Sequence, residues 1–309
     1  MEPFQSCISA GVVFCLLGVF WILQNSFNTA RQFYDNRGIV WTPPRLVRTF
    51  NKLPVEGVVI ILFTLCAFCT EQVYPNWKWK MFNEDSELVN QSEWLHCTIY
   101  VAFLIYGICK ALATKSIQGV WYYVPLYRCF AFAIEALLLI FQLVDSEDDR
   151  TYLDYRLHLL HVLTVVPVVL TGMMEGWWDD PLLVRLRCFS TFLQGTWLFQ
   201  MAFTLYQPET APKQPVASET SDFVVVQYTF DVNNNNYSTP GVTRDGDNQG
   251  MANFYSMVFA WHCIVSVIVI TFCHAMMRAV AVCIYRRVLH QKVTKGEDIG
   301  MLSPIANEV

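Results

Sequence analysis

Seven apolar runs divide the chain, and each is long enough to cross a hydrocarbon core that takes roughly 20 helical residues. They cover approximately 8–25, 55–73, 94–114, 122–144, 155–175, 186–206 and 251–277. The pattern predicts an all-α, polytopic membrane protein: a seven-transmembrane helix bundle over 1–277 with a tail at 278–309. The first run follows a short N-terminus without Lys or Arg and contains Trp21. It lacks the basic n-region and the small-residue cleavage site of a secretory signal, so it reads as an uncleaved first span.

One polar segment is long. Residues 207–250 run from QPETAPKQP through 223–232, which alternates enough to form a short strand pair, into DVNNNNYSTPGVTRDGDNQG. That Asn-, Gly- and Asp-rich tract cannot bury a core, so a mobile loop is expected there and no separate domain.

Composition agrees with membrane. Of 309 residues, 54% are hydrophobic and 15% charged, where a soluble domain carries about 25% charge. The net charge of −5 comes mostly from acidic loops and tails. No basic block reads as a nucleic-acid surface.

The basic residues orient the bundle. Arg31, Arg37, Arg45, Arg48 and Lys52 fall in the first loop, Lys110, Lys115, Arg185 and Arg187 at the third and fifth, and Arg286, Arg287, Lys292 and Lys295 after the last run. The alternate loops are poorer in basic residues. The N-terminus is therefore expected to be lumenal or extracellular and the C-terminus cytosolic. Two glycosylation sequons, at Asn90 and Asn236, fall in loops that this topology makes lumenal. The eleven cysteines lie in or beside apolar runs, which argues against a disulfide-stapled exterior. Cys66 and Cys69 form a C-x-x-C inside an apolar run and read as packing residues.

Polar groups inside the runs are the candidates for chemistry, because they are costly near lipid and tend to face protein, water or an ion. In 152–172, Asp154, His158 and His161 fall within a sector of about 60° on one helix face. Glu71 closes the second run and His96 opens the third. Glu135 lies in the lumenal half of the fourth, Gln194 and Gln200 in the middle and upper sixth, and His262 in the seventh. The cytosolic half reads as poorer, with Glu56, Arg128 and His274. Imidazoles with carboxylates bind zinc or relay protons, so His96, His158 and His262 are the candidate metal ligands, with Glu135 as a base. The plainer reading is polar glue, with Glu135 bonded to a histidine and the glutamines bonded across helices. It requires no cofactor. Tyr285-Arg-Arg-Val288 fits the Y-x-x-Φ pattern read by sorting adaptors, and Cys283 beside it is placed for palmitoylation or for packing.

The chain resembles the transmembrane protein 45 family, seven-helix membrane proteins whose shared domain has no assigned activity. The matching residues are Glu56-Gly57, Glu71-Gln72, Trp94-x-His96-x-Thr98-x-Tyr100, Glu135-Ala136, Leu153-Asp154-x-x-x-His158 and Leu170-Thr171-Gly172. The strongest block is Leu193-Gln194-Gly195-Thr196-Trp197-x-Phe199-Gln200, followed by Phe203-x-Leu205-Tyr206-x-Pro208 and then Trp261-His262. The chain departs from that family at 144–150, which is acidic and lacks an H-x-H-x-R-like stretch, and in its longer sixth loop. His161 has no counterpart. The resemblance implies an integral protein of the plasma membrane or of Golgi and endosome–lysosome membranes, and it supplies no reaction.

The leading expectation is a non-enzymatic multi-pass protein acting through the lipid bilayer or through membrane or cytosolic protein partners. An intramembrane metal-dependent lipid hydrolase is one alternative, although no G-x-S-x-G or H-x-x-x-H is present. A proton or solute transporter is another, since seven helices permit a three-plus-one-plus-three repeat. A rhodopsin-like receptor is disfavoured, because the seventh run has no Asn-Pro-x-x-Tyr.

Overall fold

The computed structural model describes residues 3–35, 54–73, 79–80, 82, 89–114, 119–145, 152–178, 180–206 and 244–294. Seven α-helices lie among them: α1 (Pro3–Asp35), α2 (Val55–Val73), α3 (Gln91–Thr114), α4 (Val124–Asp145), α5 (Tyr152–Met174), α6 (Pro181–Leu205) and α7 (Arg244–Thr294). A short 3-10 turn, Val120–Tyr123, leads into α4 from Gly119, whose φ of 94° suits a residue without Cβ. At the start of α6, the Asp180 side chain accepts from Leu182 N and Pro181 occupies the first turn, so capping and a preset φ begin the helix together.

Six of the seven are long and apolar enough to cross a membrane, and α6 is not among them. The reason is packing. α6 lies against α1, α5 and α7, and buries Arg187, Ser190, Thr191 and Gln194 as well as Trp197 and Met201. A helix packed on three neighbours can turn polar groups toward protein, where a helix facing lipid on most sides cannot. The outward face of α7, by contrast, exposes Trp261, Val265, Ile268, Phe272 and Met276.

Two helix pairs approach closely through glycine. A Cβ on Gly195 would fall 2.6 Å from Cys15 N and 2.7 Å from Gly11 O, so α1 and α6 touch backbone to backbone. A Cβ on Gly57 would fall 2.6 Å from Ala111 N, making the same kind of seam between α2 and α3. Small residues at crossings are how helices gain van der Waals contact where lipid removes the hydrophobic incentive to associate. Between the seams, Phe14, Phe103 and Phe132 meet edge-on or tilted at the centre, joining α1, α3 and α4.

α1 and α7 run past their expected ends. At 1.5 Å per residue they are about 50 and 76 Å long. α7 begins at Arg244, so the last residues of the expected 207–250 loop are helical, and it continues through the expected tail boundary to Thr294. Extending an existing helix adds a hydrogen bond for each residue fixed, which favours such overruns. Beyond the bundle Tyr34 stacks on Tyr285 with centroids 4.3 Å apart. Tyr285 is therefore buried rather than presented to an adaptor, which corrects the sorting-signal reading. Cys66 and Cys69 are exposed on α2 and do not pack, and all eleven cysteines are unpaired. The strand pair at 223–232 and the Asn236 sequon lie outside the described residues.

The order of contacts does not repeat. α5 packs broadly on α6 and also meets α7, whereas α1 makes no comparable contact with α2 or α3 and instead lies along α6 and α7. The first three helices are not arranged as the last three are.

Candidate functional site

The end of the bundle where α1 begins also carries the start of α3 and α5 and the finish of α2, α4 and α6. At this near end the helices enclose a cavity of about 390 Å³. Its inner part is apolar, with Phe14, Leu17, Ile60 and Phe103, and Leu139 and Leu198 add apolar wall nearer the mouth. Its polar wall is built in pairs. His96 Nδ1 lies 3.1 Å from Glu71 Oε1, joining α3 to α2. Gln194 Nε2 donates to Glu135 Oε1 at 2.7 Å, joining α6 to α4. His158 Nδ1 lies 3.1 Å from Asp154 Oδ1, one helical turn back on α5. Ser6 Oγ and Tyr100 OH are 3.2 Å apart and close α1 onto α3.

The expected polar groups are therefore partly assembled. Glu71, His96, Glu135, His158 and His161 line the cavity. Gln194 stands behind Glu135, and Asp154 behind His158. Gln200 turns away and donates to Thr204 Oγ1 on its own helix at 3.1 Å. His262 is not on the cavity wall; its ring meets Trp197 edge-on at 5.7 Å. The proposed trio His96, His158 and His262 is thus not brought together. Among the described residues no group of three His, Cys, Asp or Glu is placed to share a metal ion. Glu135 pairs with a glutamine and not with a histidine, and of the two glutamines of α6 only Gln194 bonds across helices. Sequence reading missed Ser6, Cys7, Tyr100 and Glu93 on the wall. Their signal is faint, because Ser and Cys are unremarkable in an apolar run.

The opposite end overturns an expectation. Far from being poor in polar groups, it holds a network around Trp21. Glu56 Oε1 accepts from Trp21 Nε1 at 2.8 Å and from Tyr106 OH at 2.9 Å, while Lys110 Nζ lies 3.0 Å from Glu56 Oε2. Glu175, just past α5, accepts from Arg187 Nε at 2.7 Å and pairs with Arg128. Arg187 lies over the Trp21 ring at 4.5 Å and Arg128 at 5.9 Å. Five charges from five places in the chain are thereby joined across α1 to α6. Arg187 stands at the fifth loop, where the basic residues read as topology markers, and Glu175, at the end of the fifth run, is not among the sequence candidates. Folding turns them inward to pair, which is the condition under which buried charges are tolerated.

Residues 123–275 match the model of a family of unknown function (DUF716). The matched stretch takes in α4, α5, α6 and most of α7. It therefore supplies Glu135, His158, Glu175 and Arg187, while Glu71, His96, Trp21 and Glu56 lie before it. The chain is also similar to transmembrane epididymal protein 1 of Rattus norvegicus, 25% identical over 163 residues. That similarity covers 50% of this chain and 48% of the relative, so the chain spans about half the length of this curated relative. Together with the apolar helices, these matches make the chain an integral membrane protein.

Proposed function

We propose that this protein is a seven-span, non-enzymatic membrane protein that holds a small amphiphilic molecule in its near-end cavity. The observation that carries the reading is the cavity itself: an apolar interior and a paired polar wall, enclosed by α1 to α6. Its volume of about 390 Å³ falls in the range of small-molecule sites, which are mostly apolar with a few placed polar groups. In this reading α6 is the seventh span, shielded from lipid by its neighbours. The N-terminus and the cavity mouth are lumenal or extracellular, as the basic loops favour. The motifs shared with the transmembrane protein 45 family support residence in the plasma membrane or in Golgi and endosome–lysosome membranes. The metal-dependent hydrolase gains no support, because the three histidines are dispersed.

One observation favours a second reading as a carrier. The cavity is apolar at its inner end, and beyond it lies the ion-paired layer around Trp21, so the molecule has an open end and a tied end. Alternating access would require Glu56–Lys110 and Glu175–Arg187 to part.

Cys7 lies on the cavity wall and tests the main reading. A membrane-impermeant thiol reagent is applied to intact cells or to sealed vesicles of known sidedness, and modification is read peptide by peptide. The reading predicts that Cys7 is modified from the N-terminal side. Failure of Cys7 to react, or reaction only from the side of Arg286 and Arg287, would overturn it.

A further inference from the structure

The cavity wall has a chemical bias that the volume alone does not reveal. Among the described residues the lining presents three carboxyl groups, Glu71, Glu93 and Glu135, with three imidazoles and no Lys or Arg. Lys110, Arg128 and Arg187 are gathered instead around Trp21 at the other end, and Arg156, one turn into α5 at the near end, turns to Tyr152 rather than to the cavity lining. Two of the carboxyls are deeply placed, Glu71 at 3% and Glu135 at 5% exposure. Each uses one oxygen within the protein, toward His96 and Gln194 respectively. The second oxygen of each, Oε2, is buried and has no hydrogen-bond partner among the described residues. A buried acceptor without a donor costs about 1–3 kcal/mol, more if charged, so two on one cavity wall are a standing demand for donors. The neighbouring imidazoles do not meet it: His96 faces the other oxygen of Glu71, and His158 is held by Asp154. His161 Nε2 is itself buried without a partner. Past these groups the wall becomes aromatic and aliphatic, through Phe14, Phe103, Leu17 and Ile60.

Resting on the cavity reading above, we propose that the ligand is a single-chain amphiphile with a cationic, hydrogen-bond-donating head: a long-chain primary amine. An ammonium carries three donors and no acceptor, which matches a wall of orphaned acceptors. It also supplies the charge that buried carboxylates require. The head donates to the second oxygen of Glu71 or of Glu135, and the chain lies along Phe14 and Phe103 into the apolar end. An anionic head of the fatty-acid type would add acceptors to acceptors and is excluded by the same wall.

The test uses the full-length protein in lipid nanodiscs and a dodecylamine analogue carrying a photoreactive diazirine. Crosslinked peptides are identified by mass spectrometry, with dodecylamine, dodecanol and dodecanoate as competitors. The expected result is crosslinking to cavity-lining residues of α1, α3 or α4, competed by dodecylamine at concentrations at least about tenfold below dodecanoate. Glu135→Gln and, separately, Glu71→Gln should each weaken amine competition about tenfold and leave dodecanol unchanged. Reading both variants, each checked for an unaltered melting midpoint, guards against one of them failing to fold. If dodecanoate competes as well as the amine, the head-group assignment is overturned while the cavity reading stands. If nothing crosslinks to the wall although Cys7 is open to reagent, the amine proposal alone fails. If Cys7 is closed as well, both fall.

Discussion

The Arg187 guanidinium lies 4.5 Å from the centroid of the Trp21 ring, while the same indole donates its N–H to Glu56 at 2.8 Å. Trp21 thus touches two charges of opposite sign, one through its face and one through its edge. The ring's negative face and positive edge suit this arrangement. Replacing Trp21 with Phe keeps a ring but deletes the donor, leaving Glu56 with Tyr106 and Lys110. We expect Trp21→Phe to cost about 1–3 kcal/mol, read as a lower melting midpoint in detergent. An unchanged midpoint would mean that the network does not couple α1 to α2.

The α1–α6 seam depends on the absence of a side chain. Gly195→Ala would set a Cβ 2.6 Å from Cys15 N and 2.7 Å from Gly11 O, both main-chain atoms that cannot swing aside. The helices must then separate. A loss of about 1–3 kcal/mol is expected. Gly172→Ala is the matched control, because its Cβ would meet Cys129 at an ordinary 3.7 Å. Equal melting midpoints for the two variants would contradict close crossing at Gly195.

Orientation has a biochemical readout in the sequons. With the N-terminus lumenal, the protein made in mammalian cells should carry N-linked glycan on at least one sequon, lost on peptide-N-glycosidase treatment and in the Asn90→Gln/Asn236→Gln variant. Asn90 precedes α3 in a left-handed conformation, φ 60°, half-buried and with its side chain donating to Lys80 O at 3.1 Å. Glycan appearing instead on an acceptor engineered into the 295–309 tail would reverse the topology.

His262 distinguishes packing from ligation. Its ring meets Trp197 edge-on and stands off the cavity wall. His262→Phe retains an aromatic of similar shape, so stability should change by less than about 1.5 kcal/mol. Crosslinking to the cavity should be unaffected. A large loss of both, restored by added zinc, would revive a metal role.

The apolar runs located the helices because span length is a local property: each α-helix satisfies its own backbone hydrogen bonds and needs no distant partner to be recognised. α2 was delimited to the residue, 55–73, and α3 to α6 to within a few positions. Pairs one turn apart were equally legible, and Asp154 with His158 is the case in point. Partners between helices were not. Nothing local distinguishes Gln194, which reaches Glu135 on α4, from Gln200, which bonds its own helix. His96 and His262 both follow a tryptophan by one or two positions, yet one lines the cavity and the other packs on Trp197. Burial likewise depends on neighbours: α6 tolerates Arg187 and Gln194 because α1, α5 and α7 stand around it. By itself the sequence determined the helical class, the helix positions and the stock of polar groups. Only the tertiary structure decided that carboxyls would line a cavity at one end while Glu56, Lys110, Arg128, Glu175 and Arg187 would tie the other. The physical reason is that pairing energy depends on distances between helices, and sequence spacing fixes distances only within one.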